Sequence, residues 1–66
     1  MFTPRQWRKA KDLTQDDMAK KLNVHLNTYQ NWEKEPEKIS IANAVKIAEI
    51  FGISMNEISF KAQEKL

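Results

Sequence analysis

Three side-chain amides, Asn27, Gln30 and Asn31, recur at helical spacing in the stretch LNTYQNW and so share one side of a short helix. Each carries a donor and an acceptor at fixed separation, the pairing that matches the adenine edge in the major groove of duplex DNA. Tyr29 and Trp32 fall on the other side and are expected to be buried. Enzyme chemistry has far less to draw on. Asp16 and Asp17 are sequence neighbours and point in different directions on a helix, whereas an acid–base pair needs two carboxyls converging on one substrate. They read as first-turn charges at the positive end of a helix dipole. His25 has no companion ligands at metal-binding spacing, and there is no Cys. The expectation is of no catalytic residue, metal, cofactor or small-molecule substrate.

At 66 residues the chain accommodates one domain, residues 1–66, with a core over about 3–60 and a C-terminal tail over 61–66. Eleven Lys and Arg against nine Asp and Glu give a net charge of +2, compatible with a nucleic-acid partner but no polyanion signature by amount alone. The N-terminal MFTPRQW lacks the apolar core of a signal peptide, and the apolar runs are too broken to span a bilayer. A soluble, cytoplasmic protein without a membrane partner is expected.

Five helices account for the remaining pattern, with no persistent period-two alternation to argue for a sheet. Thr3, Pro4 and Gln6 make a helix start in which Thr3 caps, Pro4 takes the first position and Gln6 reaches back. Phe2 packs across this start, Trp7 and Ala10 face inward, Leu13 closes the turn, and Arg5, Lys9 and Lys11 are solvated. Thr14 caps a second helix that buries Met18, Ala19 and Leu22. The third helix spans about 26–33 and stops at or before Glu35, because the residue before Pro36 disfavours helical backbone. Ser40 caps a fourth helix with an inward stripe of Ile41, Ala44, Val45, Ala48 and Phe51, flanked by Ile47 and Ile50 and ended by Gly52. Ser54 and Glu57 form a capping box around a short fifth helix.

The run TQDDMAKKLNVHLNTYQNWE resembles the helix-turn-helix of the phage repressor, Cro and Xre-like DNA-binding domains. The pattern is matched at Thr14, Gln15, Met18, Ala19, Leu22, Asn23, Val24, Thr28, Tyr29, Trp32 and Glu33, and the likeness extends from about Trp7 to Ile58. It implies an all-α, compact five-helix bundle of the lambda-repressor-like type, with helices 2 and 3 forming the helix-turn-helix. It also implies a sequence-specific double-stranded DNA-binding transcriptional regulator, a repressor or Cro-like protein, with the third helix in the major groove.

Carried over position by position, the resemblance makes Leu26, Asn27, Gln30 and Asn31 base-facing, and gives Gln15, Lys34 and Lys38 to the DNA backbone; the Thr28 hydroxyl reaches a phosphate or satisfies its own helix, and His25 caps the helix or approaches a phosphate. It pairs Arg8 with Glu33 as a structural ion pair, for which a bidentate guanidinium–carboxylate contact supplies the physical reason. Three positions depart from the family. His25 stands where a capping Ser or Thr is usual, Leu26 where many relatives have a polar residue, and Glu35 where many have Gly. Since one recognition helix reads only a few base pairs, a homodimer on half-sites about 34 Å apart is expected, with Ile50, Ile58, Phe60 and Leu66 as candidate interface residues. The alternative is a protein-interaction module, antitoxin-like or adaptor, using the same fold without reading DNA.

Overall fold

The computed structural model describes residues 1–62. Among them are four α-helices, α1 (Pro4–Ala10), α2 (Gln15–Leu22), α3 (Leu26–Lys34) and α4 (Ile41–Phe51), and two single 3-10 turns, Pro36–Lys38 and Met55–Glu57. Helix starts follow the side chains. Thr3 and Gln6 cap α1 reciprocally, the Gln6 amide donating to Thr3 Oγ1 (3.3 Å) and the Thr3 amide to Gln6 Oε1 (2.9 Å). Thr14 and Asp17 do the same for α2, at 3.0 and 2.8 Å. The amide hydrogen bond from Thr14, foremost among the causes, holds the Asp17 carboxyl below its ordinary pKa. Ser40 Oγ accepts from the Asn43 amide at the start of α4.

Three of the four α-helices end in the same way. Asp12 (φ 56°), Asn23 (φ 56°) and Gly52 (φ 71°) adopt the left-handed conformation. The next amide then reaches back, Leu13 to the Arg8 carbonyl (3.1 Å), Val24 to Ala19 (3.0 Å) and Ile53 to Ala48 (3.0 Å). Leu13, Val24 and Ile53 each turn inward onto the core, the apolar contact that accompanies this kind of helix end. α3 is the exception. Glu35 ends it with φ −131°, and Pro36 opens the following 3-10 turn, so the helix stops where the proline required.

Met18, Ala19 and Leu22 of α2, Tyr29 of α3, Ile47, Ala48 and Phe51 of α4, and Ile58 form the buried core. Trp7, Leu13, Val24, Trp32, Ile39, Ile50, Ile53, Met55 and Phe60 pack around it. The inward stripe of α4 is Ala44, Ile47, Ala48 and Phe51, not the one expected: Ile41 is 78% exposed and Val45 38%. IANAVKIAEIF carries apolar residues in both helical phases, so its own periodicity does not choose between them. The chosen phase puts Ile47 at zero exposure, with the small Ala44 and Ala48 beside it. Ala10 is exposed as well, and α1 instead turns Pro4, Trp7 and Arg8 inward.

The expected fifth helix is the single turn Met55–Glu57. Its capping box forms, the Ser54 amide donating to Glu57 Oε2 at 2.9 Å, but Ile58 then becomes extended (φ −109°, ψ 133°) and bridges to Phe2. The Ser59 amide donates to the Phe2 carbonyl (2.8 Å), and the Trp7 indole to the Glu57 carbonyl (2.9 Å). Phe2 meets Trp7 edge-on at 5.5 Å between ring centroids. The two ends of the domain are thereby stitched together, and Ile58, expected at an intersubunit surface, is a core residue at 3% exposure. Lys61 and Ala62 are not helical, and the rest of the expected tail, with Leu66, lies outside the described residues. No described helix is long and apolar enough to cross a membrane.

Candidate nucleic-acid interface

The turn joining α2 to α3 is three residues long, Asn23–Val24–His25, and left-handed Asn23 makes it sharp. With Tyr29 sealed at zero exposure and Trp32 half-buried, α3 turns Asn27, Gln30, Asn31 and Lys34 outward at intervals of three and four. Asn27, Asn31 and Lys34 are exposed and Gln30 half-buried, while Leu26 stands at the head of the helix at 39% exposure. All four expected base-facing residues therefore sit on accessible surface of one helix. Thr28 is half-buried on its flank, and His25 is the exposed residue that precedes the helix. His25 has the extended backbone of an N-cap but makes no side-chain capping hydrogen bond, as expected once Ser or Thr is absent.

Behind this face lies a chain of hydrogen bonds anchored on an ion pair. Arg8 Nε donates to Glu33 Oε2 at 2.7 Å, a second guanidinium nitrogen to Oε1 at 3.3 Å, and the third to the Leu13 carbonyl at 2.8 Å. The pair is well covered, with side chains 10% and 3% exposed. Gln15 Nε2 donates to Glu33 Oε1 (3.0 Å), and Gln30 Nε2 donates to Gln15 Oε1 (3.2 Å). The order of donors is dictated by the carboxylate, which only accepts. Gln15 must turn its amino end to Glu33, leaving its carbonyl outward, so Gln30 must turn its amino end to Gln15. Gln30 thus keeps its carbonyl and its second N–H for a partner beyond the protein.

Burial alone would raise the Glu33 pKa. The hydrogen bonds from Arg8, with the one from Gln15, outweigh it and hold the carboxyl below its ordinary value. Arg8 in turn is held more firmly protonated by Glu33. The Tyr29 hydroxyl lies against this pair yet has no hydrogen-bond partner in good geometry. Burial first, and the Glu33 carboxylate second, push its pKa well above the usual phenol range.

Open grooves run along both flanks of α3. One, of about 360 Å³, is lined by Arg5, Gln15, Gln30, Glu33 and Lys34; the other, of similar volume, by Thr28, Asn31, Trp32, Glu35 and Lys38. Lys38 lies 3.0 Å from Glu35 in an exposed ion pair, which must open if Lys38 is to hold a phosphate. Arg5, expected to be merely solvated, is a groove residue. Its position three before Arg8 was the signal: a side chain one turn from a buried guanidinium shares its side of α1.

Residues 5–58 match the helix-turn-helix family model. The chain belongs to the helix-turn-helix family. The match runs from Arg5, the second residue of α1, through the Met55–Glu57 turn to Ile58, and so takes in the buried core cluster of this helix-turn-helix domain. An uncharacterized HTH-type transcriptional regulator of Methanocaldococcus jannaschii is 40% identical over 52 residues, 79% of this chain and 79% of that protein. No solved structure gives a significant match.

Proposed function

We propose that this helix-turn-helix domain is a sequence-specific double-stranded DNA-binding transcriptional regulator, of repressor or Cro-like type, that lays α3 in the major groove. It is a DNA-binding regulator and not an enzyme, the reading supported by its family and by the named activity of its archaeal relative. The observation that carries the finer reading is the outward row Asn27, Gln30, Asn31 with Gln30 braced through Gln15 and Glu33 onto Arg8. An amide whose donor and acceptor ends are fixed from behind matches the paired acceptor and donor of adenine without first ordering itself. Leu26 supplies an apolar surface suited to a thymine methyl group. Gln15, Thr28, Lys34, Lys38 and His25 hold backbone phosphates, and two copies read two half-sites about one helical turn apart.

The test is binding to duplex DNA enriched from a random pool, compared with unselected duplex, across a range of salt. Preferential binding and a negative slope of log K against log salt are expected. A second reading, an antitoxin-like or adaptor module, draws on the modest net charge of +2 and on Ile41, 78% exposed at the start of α4. Absence of both preference and salt slope would favour that module.

A further inference from the structure

We infer that Arg5 is a DNA-backbone contact, forming with Lys34 a two-walled cationic clamp that takes one phosphate over the floor made by Gln15 and Glu33. The inference rests on the proposed DNA-binding reading and extends it from the helix-turn-helix onto α1. Arg5 and Lys34 line the groove that contains Gln15 and Gln30, and both also line the adjoining groove with Thr3, Glu33, Pro36 and Ala62. Arg5, Glu33 and Lys34 are common to both grooves, so Arg5 from α1 and Lys34 from α3 stand beside Glu33 on the shared rim.

Among the described residues the ion pairs are Arg8–Glu33, Lys20–Asp16 and Lys38–Glu35, and neither Arg5 nor Lys34 pairs with a described carboxylate. The carboxylate beside them does not repel an anion strongly. The Glu33 side chain is 3% exposed and already bonded by Arg8 and Gln15. What an approaching phosphate meets is therefore two exposed cations beside a carboxylate whose charge is already engaged. A guanidinium and a phosphate form the bidentate pairing that Arg favours over Lys. The clamp adjoins Gln30, so a phosphate seated there would fix the register in which the amide row meets base edges.

The experiment uses the full 66-residue chain and measures affinity between 50 and 200 mM KCl, for the best site from a random pool and for unselected duplex. One phosphate contact contributes a slope of about −0.9, so Arg5→Ala should lose about 3.5-fold less affinity than the parent over that range, on both DNAs. Arg5→Lys should keep the parental slope. Since Arg5 is exposed, the melting temperature of Arg5→Ala should match the parent, which separates contact from folding. Lys9→Ala removes an exposed charge of α1 that lines neither groove and should leave the slope closer to the parent's. A parental slope in Arg5→Ala, an equal change in Lys9→Ala, or an effect confined to the selected site would overturn the clamp. A parent with a salt slope but no sequence preference would sink the specific-reader proposal and leave the clamp standing; a parent without a slope would sink both.

Discussion

Replacing Arg8 by Ala removes three hydrogen bonds, two to Glu33 and one to the Leu13 carbonyl, and leaves a carboxylate at 3% exposure with Gln15 as its remaining donor. Breaking a buried pair by deleting one partner costs about 3–5 kcal/mol, because the survivor stays charged and dry. At about 0.05–0.15 kcal/mol per residue, a domain this small has on the order of 3–10 kcal/mol in total. Arg8→Ala should therefore lower Tm by more than about 12 °C and leave part of the protein unfolded at 37 °C. Urea and thermal unfolding followed by far-ultraviolet circular dichroism and by Trp7 and Trp32 fluorescence would measure this. The double variant Arg8→Met, Glu33→Leu should recover much of the loss, since an apolar pair of similar volume needs no charge partner. A loss below about 1 kcal/mol in Arg8→Ala, the worth of an exposed pair, would refute the claim that this pair locks α1 to α3.

Three further outcomes follow from the same neighbourhood. Tyr29→Phe removes a sealed hydroxyl without a partner and should be neutral or stabilising by up to about 1 kcal/mol; a loss of that size would mean the hydroxyl is bonded after all. His25→Ser should gain about 0.5–2 kcal/mol by supplying the missing cap of α3, and an unchanged urea midpoint would count against that. Glu33 has a folded-state pKa below its ordinary 4.5, so its contribution is complete well above 4.5 and is lost as pH falls from there through the lower folded-state value. Stability should accordingly drop below about pH 5, with a flatter acid limb in Glu33→Gln; parallel limbs in the two proteins would exclude Glu33 as a source of the drop.

Much of the architecture was legible because it depends on local chemistry. Thr3 with Gln6, Thr14, Ser40, and Ser54 with Glu57 mark their helix starts through side chains that satisfy nearby amides, and Pro36 marks the end of α3. The failures are tertiary. Which apolar stripe of α4 turns inward depends on what packs against it, so Ile47 replaced Ile41 and Val45 in the core. Pairing of Ile58 with Phe2, 56 residues apart, held the fifth helix to one turn. At the candidate site, spacing was enough to put Asn27, Gln30 and Asn31 on one face, and family likeness was enough to pair Arg8 with Glu33. Spacing within α1 puts Arg5 on the side of Arg8, but the link from Gln30 to Gln15 and the rim that Arg5 shares with Lys34 needed separate helices to meet, which no single segment's periodicity encodes.

The most direct measurement is the base preference of Asn31→Ala beside that of the parent, both selected on the same random duplex pool and scored position by position. Parental enrichment of a short motif, with discrimination relaxed at one base pair in the variant and retained elsewhere, is the result predicted if the amide row of α3 reads the major groove. Identical preferences in the two proteins, or a uniform loss of affinity without change at any position, would contradict it.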